Sequence, residues 1–163
     1  MKKNSIIKFF IVLLSSILLT GCDSNNNVMM EEDLAIPLGD TGISVKLPSE
    51  YGFEAKTSEL NDFFGYSANE EWSIIVNHEE KEDFTGIDQY AQASAIANEA
   101  GDAKLASDGN YYFEYTNSGY HFYTAVRQND KYYYRVAFYC LEEDWSKYES
   151  EFAEWATTIK FEQ

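Results

Sequence analysis

The sequence predicts an α+β domain: an antiparallel sheet of about six strands, covered by an alanine-rich helix and by a C-terminal amphipathic helix. Three observations carry this expectation. Residues 110–141 (NYYFEYTNSGYHFYTAVRQNDKYYYRVAFYCL) hold three short runs of Tyr, Phe and Val broken twice by turn residues, the pattern of three consecutive antiparallel strands. Ala91, Ala93, Ala95, Ala97 and Ala100 give the preceding segment a thin surface that can lie close on a sheet. Trp145, Tyr148, Phe152, Trp155, Ala156 and Ile159 recur at helical spacing, with Lys147, Glu149, Ser150, Glu151 and Glu154 on the other side. With 163 residues, 45% hydrophobic and 17% aromatic, the chain can bury one substantial core.

In chain order, Gly42 to Leu47 alternates apolar and polar residues until Pro48 stops it, as a half-buried strand does. Tyr51 to Ala55 reads as a second short strand. Phe63 to Ala68 and Trp72 to Asn77 form the next pair around a turn at Asn69-Glu70-Glu71. The charged run from His78 to Asp83 then reads as a solvated loop. Thr85 opens a helix, with Asp88 in the capping-box position and Gly101 as its stop; Ile87, Tyr90 and Ile96 are its expected buried contacts. Ala103 to Ala106 is a short strand candidate, and Ser107-Asp108-Gly109-Asn110 turns the chain into the aromatic strands.

Placing the more apolar alternate positions of those strands inward puts Tyr111, Phe113, Tyr115, Phe122, Val126, Tyr134, Val136, Phe138 and Cys140 in the core. This needs an even-length loop at Asn117-Ser118-Gly119 and an odd-length one around Asn129-Asp130. The opposite face then gathers Tyr112, Glu114, His121, Tyr123, Arg127, Tyr133, Arg135 and Tyr139. Of these, Tyr112, His121, Tyr123, Arg127, Tyr133, Arg135 and Tyr139 are the candidate ligand face. Tyr and Arg dominate recognition hot spots, and aromatic rings stack on sugars. The alternative is structural: cross-strand Tyr/Arg pairing, or cover from the alanine-rich helix.

The chain begins with Lys2, Lys3 and Lys8 around the apolar run IIKFFIVLLSSILL, too short for a membrane span and ending in small residues, as a secretion signal does. Its last four residues, Leu19-Thr20-Gly21-Cys22, resemble the lipobox of bacterial lipoproteins. The resemblance implies cleavage before Cys22 and lipidation of its thiol, so residues 1–21 are a signal peptide and the protein is lipid-anchored on the extracytoplasmic face of the membrane. Residues 22–35, with the polar stretch DSNNNVMMEED, are then a tether, and residues 36–163 the globular domain. About twenty residues before the first strand give a reach of roughly 25 Å.

The formal charge is −16; removing Lys2, Lys3 and Lys8 from the 12 basic residues leaves nine against 28 acidic ones, a net charge of −19. Such a field repels phosphate backbones, which excludes nucleic-acid binding as a working idea. With Cys22 lipidated, Cys140 has no intramolecular disulfide partner and reads as a buried, inert thiol on a strand.

The order of elements allows a comparison of families. A strand running into LPSEYGF, a strand ending WSIIVNH, a helix at GIDQYAQASA, three long strands and a closing helix ending TIKF resemble the PsbP-like α/β/α sandwich over residues 36 to 161. The family is named for an extrinsic photosystem II subunit and includes many bacterial lipoproteins. The resemblance implies a binding or assembly factor and carries over no catalytic residue. Cystatin-like and nuclear-transport-factor-like folds are the architectural alternatives.

No P-loop, GxGxxG, HExxH, GxSxG or EF-hand loop is present. Two histidines, His78 and His121, and one free thiol make a poor zinc set. The expectation is therefore no enzyme and no cofactor, but a domain that binds a protein partner of the cell envelope, or alternatively a glycan or small molecule. Weak calcium binding by Glu79, Glu80, Glu82 and Asp83 stands beside the plainer reading of a solvated acidic loop.

Overall fold

The computed structural model describes residues 34–48, 51–81 and 84–162. Cys22, the signal peptide and most of the tether lie outside the described residues, as do Glu82 and Asp83. Seven strands form one antiparallel sheet: β3 (Phe53–Lys56), β4 (Phe63–Ser67), β5 (Trp72–Glu80), β6 (Lys104–Leu105), β7 (Tyr111–Asn117), β8 (Tyr120–Gln128) and β9 (Tyr132–Leu141). Their order across the sheet is β3-β4-β5-β9-β8-β7-β6. A second sheet joins β1 (Leu34–Pro37), β2 (Ile43–Leu47) and β10 (Lys160–Phe161), with β2 in the middle. The helices are α1 (Ile87–Ala97) and α2 (Trp145–Thr157).

The fold class agrees with the expectation, with seven strands in the main sheet rather than about six. The run Gly42–Leu47 is a strand, but it pairs away from the aromatic strands, with β1 and β10. β1 takes in Leu34 and Ala35, which the sequence reading placed in the tether. Leu38, Ile43, Val45 and Leu47 are buried with Tyr148, Phe152, Trp155 and Ala156 of α2, so the small sheet and α2 share one face of the large sheet. Trp72 and Trp155 pack at 4.8 Å within that core. On the other face, α1 lies over β7 and β8 and buries Tyr90, Ala91 and Ala95 against Phe113, Val126 and Tyr133.

Several local expectations are corrected. β5 continues through His78, Glu79 and Glu80, because β9 supplies Tyr134, Tyr133 and Tyr132 as backbone partners; these three residues are strand, not loop. Gly86 is the N-cap of α1 and no side chain caps it; Gln89 reaches back instead, accepting from the Thr85 amide and hydroxyl at 3.0 Å. The helix ends at Ala97, before Gly101, where Glu99 takes a positive φ. Its inward stripe is Ile87, Tyr90, Ala91, Ser94 and Ala95, which leaves Ile96 63% exposed.

The register of the aromatic strands is the main correction. Ser118 and Gly119, both with positive φ, close β7 onto β8 in the expected even-length turn. The β8–β9 turn is even as well: Gln128 faces Tyr133, with four residues between them. Asn129 fixes this turn, its Oδ1 accepting from the amides of Lys131 at 2.9 Å and Tyr132 at 2.8 Å. One residue of parity reverses the facing of β9 relative to β8. Tyr134, Val136, Phe138 and Cys140 therefore share the α2 face with Tyr112, Glu114, His121, Tyr123 and Arg127. Tyr133, Arg135 and Tyr139 go to the α1 face with Tyr111, Phe113, Tyr115, Phe122 and Val126.

Gly65 of β4 lies under the Phe53 ring, which stacks between Phe63 at 6.1 Å and Trp72 at 6.2 Å. A Cβ on Gly65 would meet that ring, so Gly65→Ala is expected to push Phe53 out and cost about 1–3 kcal/mol in a urea unfolding experiment. Wild-type stability in that variant would show that Phe53 contributes little to the core.

Candidate functional site

The seven candidate residues do not form one face. Three of them meet in a cavity of about 300 Å³ between α2 and the β6–β8 edge of the sheet, where Tyr112, Tyr123 and Arg127 are joined by Asp108, Glu114 and Glu149. Tyr112 and Tyr123 stack at 5.0 Å with planes 11° apart. Burial, then the neighbouring Tyr112, raises the Tyr123 hydroxyl to about 12, so it stays protonated at neutral pH.

Arg127 is only 5% exposed. Its Nη1 donates to the Val126 carbonyl at 3.0 Å, and its Nη2 donates to Asp108 Oδ2 at 3.0 Å and to the Ala156 carbonyl at 2.6 Å. Burial lowers its pKa while the Asp108 carboxylate opposes the shift. The guanidinium thus binds the turn before β7 and the C-terminal end of α2, where a cation also meets the negative end of the helix dipole.

His121 is separate from this cavity. Its ring stacks on Trp145 at 3.6 Å and 4°, and its Nε2 is buried without a hydrogen bond, 4.0 Å from Glu114. Tyr133 stacks on Tyr90 under α1 at 4.7 Å. Arg135 donates to Glu79 at 2.6 Å, which commits one carboxylate of the acidic run. Among the described residues no group of three His, Cys, Asp or Glu side chains is placed to hold a metal. Burial raises the Cys140 thiol to about 11, the state of an unreactive core cysteine.

Tyr139 lines a second concavity, an open groove of about 630 Å³ on the part of the sheet that α1 leaves uncovered. Phe64, Tyr66, Ile75, Tyr120 and Phe122 line it with Tyr139, and Lys56, Ser58, Asn61, Glu70 and Ser73 complete it. Sequence reasoning missed these residues because they come from β3, β4, β5 and β8, which are separated in sequence; the one signal available was the aromatic content of β4 and β8. Tyr115, Phe122 and Tyr139 stack face to face across neighbouring strands at 4.6 and 4.8 Å. Their faces cover one another and their edges point outward, and the Lys56 ammonium lies 4.4 Å from the Tyr66 ring centre.

The solution structure of cyanobacterial PsbP (CyanoP) from Synechocystis sp. PCC 6803 superposes on this chain with a TM-score of 0.55 at 16% identity, covering 85% of this chain and 98% of that one. The fold is PsbP-like. A crystal structure of a protein from Bacteroides thetaiotaomicron VPI-5482 superposes on this chain with a TM-score of 0.52 at 11% identity, covering 81% of this chain. The chain spans about half of that protein, 48% of its length. No family model matches the sequence, and no curated protein matches it. At these identities the likeness speaks for the fold alone.

Two outcomes follow from the α2 face. Arg127→Ala strands the Asp108 carboxylate and the Ala156 carbonyl and is expected to cost about 3 kcal/mol in urea unfolding; a loss below about 1 kcal/mol would show that the Arg127 ties add little to the hold on α2. The pKa of His121 lies below its ordinary 6.5, through burial first, with Glu114, Glu142 and Glu149 opposing. The unfolded chain therefore binds a proton that the folded chain resists, so this contribution to stability is complete above 6.5 and is lost as pH falls towards the folded value. His121→Gln should flatten the fall in melting temperature between pH 7 and 5; parallel curves would assign the effect elsewhere.

Proposed function

We propose that this chain is a lipid-anchored protein of the extracytoplasmic face of the cell membrane whose domain binds, without catalysis, a protein partner in the cell envelope. The observation that carries the binding reading is the border of the open groove. Leu60 is 90% exposed in the loop that contributes Ser58 and Asn61, and Tyr120 and Leu141, 40% and 43% exposed, pair at the opposite end. Three of the five large exposed hydrophobic residues described thus edge one concave apolar surface, as expected of a surface that meets another protein. The anchoring reading rests on Leu19-Thr20-Gly21-Cys22.

A non-catalytic role is supported by the state of two reactive groups: Cys140 is buried and protonated, and His121 is packed on Trp145. A second reading, a small-molecule site, draws on the cavity that unites Tyr112, Tyr123 and Arg127.

Crosslinking in the native membrane followed by affinity isolation tests the first reading. The wild-type chain should recover one reproducible partner, and Tyr120→Lys with Leu141→Lys should lose it at least tenfold at an unchanged melting temperature. Retention of the partner by that variant would remove the groove from the binding surface, and recovery of none would count against a protein partner altogether. In the same cells Cys22→Ser should abolish fatty-acid labelling and release the chain from the membrane.

A further inference from the structure

We infer that the groove receives an amphipathic helix from the partner, about three turns long, with lysine or arginine beside its apolar stripe. This rests on the protein-partner reading above and specifies the chemistry of the segment.

Backbone pairing decides the conformation of the guest. β4, β5, β9 and β8 are paired on both sides under the groove, so their amides and carbonyls are committed to the sheet and cannot receive an added strand. A segment lying on the aromatic surface must satisfy its own backbone groups, which a helix does and an extended peptide does not. The dimensions agree. The cross-strand row of lining residues Tyr66, Ser73, Tyr139 and Phe122 crosses four adjacent strands. At ~4.8 Å between strands this is about 14 Å, the length of roughly 10 helical residues. The same face already carries an 11-residue helix, α1, over β7 and β8.

Charge decides the flanks. Glu70 lines the groove and Glu54, accepting from the Tyr66 hydroxyl at 2.8 Å, lies beside it, against one base among the lining residues described, Lys56 over the Tyr66 ring. The whole chain carries −16, so a second copy would bring like charge to the rim and a basic partner would be drawn to it. The outward ring edges carry partial positive charge and suit aliphatic, methionine or aromatic side chains on the guest.

The test places a benzoylphenylalanine photocrosslinker at Tyr120 in the full-length chain, in the cells that make it, with the same group at Ile96 on the outer side of α1 as control. Mass spectrometry then reads the adduct. The expected adduct at Tyr120 is a peptide with apolar residues three and four apart, flanked by Lys or Arg. Its yield should fall at least threefold in Glu54→Lys with Glu70→Lys, at an unchanged melting temperature. An adduct from a second copy of this chain, from an acidic or strand-forming segment, or from the Ile96 position alone overturns the inference and leaves the protein-partner reading standing. A lipid or glycan adduct at Tyr120, or no adduct at either position, removes both.

Discussion

The turn closed by Asn129 sets the plan of the whole domain. Its two amide acceptances fix four residues between Gln128 and Tyr133, and this parity decides which side chains of β9 face α2 and which face α1. Because β9 pairs with β5 as well as β8, the choice propagates across the sheet: Trp72, Ile74 and Val76 follow Cys140, Phe138 and Val136 into the α2 core. One residue more in that turn would send these side chains to the other face and bring Tyr139 and Arg135 under α2.

The two faces then differ in how they are closed. The α2 side is sealed by aromatic packing around Trp72, Phe152 and Trp155 and by polar ties at both ends of the helix. Lys147 and Tyr148 both reach Glu71 near its beginning, and Arg127 takes the Ala156 carbonyl at its end. The α1 side has a shorter, smaller-surfaced helix that covers only part of the sheet. The uncovered part is bordered by Leu60, Tyr120 and Leu141, three of the five large exposed hydrophobic residues described.

Periodicity made the elements legible and left the register illegible. The helical stripe of α2 and the strand character of residues 111–141 follow from spacing and residue type. In YYFEY and YYYRVAFY, however, aromatic residues occupy both alternate sets, because both faces of the sheet are partly buried, and no polar–apolar contrast marks the inside. The Asn129 turn held the missing information, but its length is set by backbone hydrogen bonds that composition does not reveal. β1 and β10 escaped notice for another reason: strands of four and two residues are too short to show a period, and β10 takes its identity from β2, distant in sequence. The same separation hid the groove, whose wall joins Phe64 and Ile75 to Phe122 and Tyr139.

The small sheet has a kinetic consequence. β2 is held on one side by β1, close by in sequence, and on the other by β10, while the Lys46 amide bonds Thr158 across 112 residues. Pairings at such separation carry a large loop-closure cost until the intervening chain is already compact. The β2–β10 pairing is therefore expected to close after the large sheet and α2, as a late seal over their shared core, whereas the β1–β2 hairpin can form locally. The two-residue β10 pairing is also the part whose amides should exchange with solvent soonest when the domain loosens, so the chain's closing strand is its least permanent hydrogen-bonded structure.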